Sequence, residues 1–431
     1  MVIEGVELNN NELRNTKCSL DGDPKIGWLR NKNGLLLKTY AWIVQNPIGN
    51  VLLIHGFKVH TRLIFMKKNL KIPNNNEGLV VDNNNQYIYK DSWIEKFNQS
   101  GYSVYALDLQ GHGESQSFGK FKGEFSSFDD LVDDVIQYMN QIYDETSSDN
   151  QKNDESHNIA TTKKKRLPMY IVGYSMGGYI ALRILQELKK EKEDRIKAWN
   201  SNNYKNSNTR LSNSTNINDI DNGMHDMNIS NVHGSDNSCA SISATKNAIA
   251  SDKDEGFYNC LDKFNIKGCV SISGMIRIKS IFNPGNISLK YFYLPLMDFL
   301  AYVLPHVQMS SESRNKKSGY FANICKYYIF RNINGKKYKN VADFARATIT
   351  LDCNANYIPK EIPLLFVHSK DDSLCSYEWT VSFHNKINVD KKELHAVDGM
   401  NHDTTTKPGN EEILKKIIDW ICNLKTNDED K

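Results

Sequence analysis

Short, continuous runs of apolar residues recur along the chain, with longer amphipathic segments between them. Runs in which apolar and polar positions do not alternate are typical of strands that helices cover on both faces of a sheet. The amphipathic segments repeat their apolar residues at helical spacing. This pattern predicts strands at residues 51–54, 104–107, 169–172, 269–272 and 364–367, and helices at 128–143, 179–188 and 411–424.

The alternation of strands and helices predicts an α/β fold with a mostly parallel central sheet flanked by helices. No run of about 18 apolar residues is present, so we expect no membrane-spanning helix. Residues 1–10 lack the apolar segment of a secretory signal, and the eight cysteines form no C-x-x-C pair. We therefore expect reduced thiols in a cytoplasmic protein, without a zinc site.

Three polar segments interrupt the pattern, at residues 67–90, 145–166 and 190–260, and we predict them as low-complexity or loop inserts. Between residues 200 and 250 there are 13 Asn and 9 Ser, too little apolar surface to offset the entropy of ordering. The three inserts also explain why only 39% of the 431 residues are hydrophobic. We expect a single domain over residues 1–431, although length alone suggests two or three.

The most informative motif is G-x-S-x-G at residues 173–177, with Ser175 at its centre. A predicted strand ends just before the motif, and a predicted helix begins just after it. A nucleophile elbow requires this strand–turn–helix arrangement, in which glycines leave room for a crowded backbone. We predict that Ser175 is a catalytic nucleophile.

A serine hydroxyl needs a base and an acid, which follow it in the order acid, then histidine. Asp371 and Asp372 stand just after the last predicted core strand, and spacing alone does not decide between them. His402 lies in a polar loop before the final helix and is the predicted base.

Net charge is close to zero, with 54 Lys and Arg against 51 Asp and Glu, so nucleic acid is not an expected partner.

Acyl transfer also requires backbone N–H groups that stabilise an oxyanion. We predict the amides of Phe57, in the loop after the strand at 51–54, and of Met176, directly after the nucleophile. His55 beside that loop is expected to be structural. The G-x-G of residues 111–113 lacks the signatures of a nucleotide-binding loop, so we expect this loop to buttress the site.

These motifs together resemble the serine α/β-hydrolases of the monoglyceride lipase and lysophospholipase family. The matching segments are HGF at 55–57, GYSVYALDLQGHGES at 101–115, GYSMGG at 173–178, HSKDDSLC at 368–375 and MNHDTT at 400–405. The asparagine-rich inserts resemble those of malaria-type protozoan parasites, which carry many such lysophospholipases. The resemblance selects Asp372 as the acid and implies hydrolysis of lipid esters without a metal or organic cofactor. The chain departs from the pattern of this family at two places: Ser369 stands where relatives have glycine, and an insert follows Thr61.

The resemblance also implies a helical cap at residues 275–359. Within it, the aromatic-rich segment 291–304 is open to three interpretations. It lines an acyl-chain pocket, touches a membrane surface transiently, or packs as ordinary core. Its short length and Asp298 argue against a membrane span. The expected partners are thus an ester substrate, lipid or small, and a membrane surface. The alternatives within the fold are a small-ester carboxylesterase, a peptidase or a non-catalytic binding protein.

Overall fold

An eight-stranded sheet forms the centre of the protein. The computed structural model describes residues 19–71, 80–81, 86–148, 166–212, 260–279, 294–303, 308–309 and 336–429. The strands of the sheet are β1 (Lys25–Arg30), β2 (Leu36–Trp42), β3 (Gly49–Ile54), β4 (Tyr102–Leu107), β5 (Met169–Tyr174), β6 (Ile266–Ile272), β7 (Leu364–Ser369) and β8 (Lys392–Val397).

The strand order is β1-β2-β4-β3-β5-β6-β7-β8. Strand β2 is antiparallel to both of its neighbours, and β4, β3, β5, β6, β7 and β8 run parallel. Every residue of β3, β4, β5 and β7 is buried, as their continuous apolar runs predict. In a parallel sheet the carboxyl ends of these strands meet at one edge, where α/β proteins place their functional loops.

Helices cover the sheet on both faces, so that two apolar cores form. They are α1 (Thr61–Phe65), α2 (Trp93–Gln99), α3 (Phe128–Ser148), α4 (Met176–Ser212), α5 (Cys260–Lys263), α6 (Leu294–Val303), α7 (Tyr338–Cys353), α8 (Tyr377–Lys386) and α9 (Asn410–Glu429), together with 3-10 turns at Ser19–Asp21 and Ala355–Tyr357.

All five predicted strands and all three predicted helices are present, so the predicted α/β class is confirmed. Three strands and several helices were not predicted. In β1 only one of the six residues is buried, because this strand is an edge of the sheet, so it lacks the apolar run that marks a buried strand. Strand β8 forms the other edge, and none of its residues is fully buried. Helix α4 extends far beyond the predicted residue 188.

The first predicted insert contains two short antiparallel strand pairs, Lys67–Lys68 with Tyr87–Ile88 and Leu70–Lys71 with Val80–Val81. The predicted inserts at 145–166 and 190–260 lie largely outside the described residues. The chain divides into two compact units, one of Met1–Lys190 with Cys260–Lys431 and one of Glu191–Asn259. In the second unit the structure describes the continuation of α4, where Arg195 pairs with Glu191 one turn earlier.

Within the predicted cap region, helix α6 packs against α7, and Asp298 of α6 forms an ion pair with Arg346 of α7. Much of the remaining cap prediction, including residues 280–293 and 310–335, lies outside the described residues. In the described part of the chain, no helix combines the length and the hydropathy needed to cross a membrane. Cys269, Cys353, Cys375 and Cys422 are free thiols.

Candidate active site

Ser175 occupies a sharp turn between β5 and α4, with a backbone φ of +56°. This left-handed conformation is unfavourable for a residue with a side chain, and strain of this kind is concentrated at functional sites. The turn is crowded on both sides. A Cβ atom at Gly173 would lie 2.2 Å from the carbonyl oxygen of Gly177, and one at Gly177 would lie 2.1 Å from that of Ile54. The two glycines of the motif are therefore required by space.

His402 lies between the serine and an acid. Its Nε2 is 2.9 Å from Oγ of Ser175, and its Nδ1 is 2.7 Å from Oδ2 of Asp372. A carboxylate only accepts hydrogen bonds, so Nδ1 carries the proton and Nε2 is free to accept the proton of the serine hydroxyl. The three side chains come from the loops after β5, β7 and β8. The structure thus brings the predicted nucleophile, base and acid into one hydrogen-bonded chain.

The structure also separates the two candidate acids. Asp372 is fully buried, and its Oδ1 accepts hydrogen bonds from the backbone N–H groups of Leu374, at 2.8 Å, and Cys375, at 2.9 Å. Asp371 is exposed and accepts instead from the Ser369 hydroxyl and the backbone N–H of Asn401. Asp372 is therefore the aspartate that reaches His402.

Burial by itself would raise the pKa of Asp372, because it disfavours the charged form. Charge interaction with His402 and hydrogen bonds from His368 and His402 outweigh this effect and hold the pKa well below its usual range. The carboxylate is therefore ionised at neutral pH, as the counterion of a histidine base must be.

The predicted oxyanion donors flank the serine. Met176 is the first residue of α4, so its N–H has no acceptor within the helix. The loop that contains Phe57 lies against the nucleophile, since a Cβ atom at Gly56 would be only 3.0 Å from Cβ of Ser175. The Met176 amide thus directly follows the serine, and the loop of Phe57 lies against it, so both amides remain the predicted donors to an oxyanion.

His55 fixes the orientation of this loop. Its Nε2 accepts a hydrogen bond from the backbone N–H of Leu109, at 2.9 Å, so the proton is on Nδ1, which donates to the carbonyl oxygen of Gly56, at 2.8 Å. Burial lowers the pKa of His55, so the ring is neutral. In a trans peptide the N–H points opposite to the C=O, and fixing the Gly56 carbonyl therefore also fixes the direction of the Phe57 N–H.

The loop after β4 buttresses the same region, as predicted. Oδ1 of Asp108 accepts a hydrogen bond from the backbone N–H of Thr61, at 3.0 Å, while its Oδ2 accepts from Tyr40 Oη and the backbone N–H of Glu114, both at 3.1 Å. The buried carboxylate thus ties β2 and this loop to the beginning of α1.

Two residues near the site received no role from the sequence. His368, at the end of β7, has its Nε2 3.3 Å from Oδ2 of Asp372. Phe344 of α7 packs on the ring of Phe57, with ring centroids 4.9 Å apart. His368 stands four residues before the acid in the sequence, a spacing that gives no hint of contact until the strand end is seen. Phe344 lies in the predicted cap region, where only the fold shows what it touches.

One group of potential metal ligands occurs among the described residues, formed by Asp372, Cys375 and His402, whose ligand atoms lie within 4.8 Å of one another. Both ring nitrogens of His402 are already engaged, by Asp372 and Ser175. A metal would have to displace one of these contacts.

Comparison with known proteins agrees with the topology. The protein is similar in structure to a soluble variant of monoglyceride lipase from Saccharomyces cerevisiae, with a TM-score of 0.54 at 16% identity, covering 93% of this chain and 95% of the lipase chain. The chain has the α/β-hydrolase fold. Other similar structures are a monoacylglycerol lipase from Paleococcus ferrophilus (TM-score 0.50, 16% identity, 90% and 99% covered) and a carboxyl esterase from Bacillus coagulans (TM-score 0.50, 15% identity, 93% and 98% covered).

Residues 86–199 match the family model described as serine aminopeptidase, S33. This range includes the elbow with Ser175. A comparison with proteins of curated function finds no significant match. At these identities the structural likeness establishes the fold, and the predicted resemblance to the monoglyceride lipase group agrees with it.

Proposed function

We propose that the protein is a serine hydrolase that cleaves carboxylic esters through an acyl-enzyme. The observation that carries this proposal is the hydrogen-bonded chain from Ser175 through His402 to Asp372, with Ser175 in a left-handed turn. An unassisted serine hydroxyl is a weak nucleophile, and an adjacent histidine that is oriented by a buried carboxylate activates it.

In the first half of the proposed reaction, Oγ of Ser175 bonds to the acyl carbon while Nε2 of His402 takes the hydroxyl proton. The carbonyl oxygen becomes an oxyanion that accepts hydrogen bonds from the amides of Phe57 and Met176. As the tetrahedral intermediate collapses, the bond to the leaving oxygen breaks, and the His402 imidazolium donates its proton to that oxygen. Asp372 stabilises the imidazolium throughout.

In the second half, His402 removes a proton from water, and the resulting hydroxide attacks the acyl carbon of the ester on Ser175. The second tetrahedral intermediate releases the carboxylic acid, and the proton on His402 returns to the serine oxygen. The ester and one water molecule are the only reactants that the two steps need.

A fluorophosphonate probe tests the reaction class, because it forms a covalent bond with an activated serine. We expect rapid labelling of the wild-type protein and none of Ser175→Ala. Ser126→Ala, in the loop before α3, is the matched control and should label like wild type. A folded wild-type protein that stays unlabelled would favour the non-catalytic alternative.

The substrate proposed within this class is a lipid ester, of the lysophospholipid or monoacylglycerol kind. Two observations support it. Two of the structural neighbours are named as monoacylglycerol lipases, and the α6 helix of the cap region exposes large apolar side chains. Rates of hydrolysis should be compared for lysophosphatidylcholine, monoacylglycerols of several chain lengths, p-nitrophenyl acetate and aminoacyl p-nitroanilides. Preference for the acetate or the anilide would instead indicate a small-ester carboxylesterase or a peptidase.

We further propose that α6 contacts membrane surfaces transiently. Four of its apolar side chains are exposed, by 48% to 86% of their surface: Leu296, Phe299, Tyr302 and Val303. Exposed apolar side chains grouped on one short helix are typical of interfacial contact. The variant Phe299→Ser/Tyr302→Ser should therefore sediment less with phosphatidylcholine vesicles than wild type. Ile43→Ser, which removes an exposed apolar side chain elsewhere, should bind as wild type does. The cytoplasmic localisation remains a prediction.

A further inference from the structure

His368 is a buried histidine to which the proposed reaction gives no task. It is the fifth residue of β7 and is fully buried. Its Nε2 lies 3.3 Å from Oδ2 of Asp372 and 3.3 Å from the carbonyl oxygen of Cys375, while its Nδ1 lies 3.0 Å from Oγ1 of Thr380. Both neighbours of Nε2 are acceptors without a proton, so Nε2 carries a proton.

The contact between His368 and Asp372 matters because the two oxygens of this carboxylate are held differently. Its Oδ1 is held by the two backbone N–H groups of Leu374 and Cys375. Its Oδ2, the oxygen that orients His402, has no backbone donor among its described contacts and is held by the two histidines. His368 is thus the one described donor, besides the base itself, that fixes the oxygen on which the base depends.

We propose that His368 is a positioning residue, whose Nε2–H holds Oδ2 of Asp372 in line with His402 and shares the negative charge of the carboxylate. This inference rests on the proposed function, because it assigns His368 a part in the same reaction. His368 does not reach the substrate or the reacting atoms, and it acts through Asp372.

The charged and titratable groups around His368 leave Asp372 as its main partner. His402 faces the same carboxylate from the other side. The ring of Tyr377 packs on His368 with centroids 6.1 Å apart. Lys279 donates from Nζ to the backbone carbonyl oxygen of Asp372, at 2.9 Å, and lies 4.0 Å from the Glu378 carboxylate of α8. The side chain of Glu378 is 70% exposed, so solvent screens this pair. The hydrogen bond from His368 is also one of the causes that lower the pKa of Asp372.

Removing this hydrogen-bond donor should shift the pH profile of the reaction in a predictable direction. In His368→Phe the carboxylate shares its charge with one donor fewer and attracts the His402 imidazolium more strongly. His402 then stays protonated to higher pH, so the acid limb of the pH profile should move upward by about 0.5 to 1 pH unit, the equivalent of one hydrogen bond. The plateau of kcat should fall about threefold to tenfold with KM unchanged, because the base is less well aligned.

The test measures the rate of fluorophosphonate labelling and of ester hydrolysis across a pH series. Glutamine and asparagine variants form the matched pair, since the glutamine amide nitrogen reaches the place of Nε2 and that of asparagine does not. His368→Gln should restore the wild-type profile, and His368→Asn should behave like His368→Phe. His384→Gln, on α8 and away from Asp372, is the control and should leave the profile unchanged.

Thermal melts establish that each variant is folded before its profile is compared. If folded His368→Phe and His368→Asn keep the wild-type acid limb, or if His368→Gln shifts it as far as they do, the inference is wrong while the proposed function stands. If wild type is not labelled, the proposed function fails. The inferred contact is then still testable, because the downfield proton resonance of His402 Nδ1–H should move in His368→Asn and not in His368→Gln.

Discussion

The substitution Asp372→Asn can be accommodated in one orientation. The Oδ1 position faces two backbone N–H groups, from Leu374 and Cys375, so the amide oxygen must take that place. The NH2 group then faces Nδ1 of His402, at the 2.7 Å position that Oδ2 occupies now. A donor at this place forces Nδ1 to accept, and the single proton of the neutral imidazole moves to Nε2. His402 would then donate to Ser175 and could no longer remove its proton.

The expected loss is therefore that of the general base, a fall of about 10³- to 10⁴-fold in kcat. The fold should persist, since asparagine has nearly the shape of aspartate and His368 can accept from the new amide by moving its proton to Nδ1. The assay is the rate of fluorophosphonate labelling together with kcat for the best ester, at a pH where wild type is fully active. Asp371→Asn, at the exposed neighbour, is the control and should stay within about twofold of wild type. Activity of Asp372→Asn above a tenth of wild type, or an equal loss in Asp371→Asn, would refute this reasoning.

Three other changes have predictable outcomes. Gly56→Ala places a Cβ atom 3.0 Å from that of Ser175, so steady-state kinetics should show a fall in kcat of at least about tenfold, and an unchanged kcat would contradict the packing. Burial raises the pKa of Asp134 to about 6, so its contribution to stability is present below pH 4 and is lost as pH rises through 6. In urea titrations, the free energy of unfolding of Asp134→Asn relative to wild type should therefore rise by about 2–3 kcal/mol between pH 4 and pH 7. A difference between the two proteins that does not change with pH would contradict this prediction. Phe344→Ala removes the ring that packs on Phe57 and should lower kcat severalfold in the same kinetic assay, whereas a change in KM alone would indicate a substrate contact.

Strands β3 to β7 were predictable from the sequence, whereas β1, β2 and β8 were not. In β2 the buried polar residues Lys38 and Thr39 interrupt the apolar run. Strands β3 to β7 are covered on both faces, so each has the apolar run that reveals it. Strand β1 has one sheet neighbour and exposes Ile26 and Trp28, while β8 has no fully buried residue. An apolar pattern records burial, and it is weak where an edge strand is half solvated.

The candidate site was likewise predictable from the sequence only in part. The sequence order of Ser175, the acid and His402 is the order that the nucleophile elbow of this fold predicts, but spacing could not separate Asp371 from Asp372. That choice depends on which carboxylate turns inward at the end of β7, and the structure answers it with two backbone N–H groups on Oδ1 of Asp372. The contact of His368 with the same carboxylate is invisible in the sequence, because it depends on side-chain directions at a strand end.

Strand β6 shows how a long insertion can leave the nucleophile in place. Residues 213–259 separate α4 from α5 along the chain, yet β6 pairs with β5 in parallel as far as Ile272 opposite Tyr174. The carbonyl oxygen of Ile272 accepts the N–H of Ser175 at 2.8 Å, and the Ser175 carbonyl accepts the N–H of Met275 at 3.0 Å. The strained turn is thus held by the strand that follows the longest predicted insert. Because the cost of closing a loop grows only with the logarithm of its length, sheet pairing outweighs the added residues and fixes the register. The stability of β6 on β5, rather than the length of the insert, should therefore decide whether Ser175 stays poised.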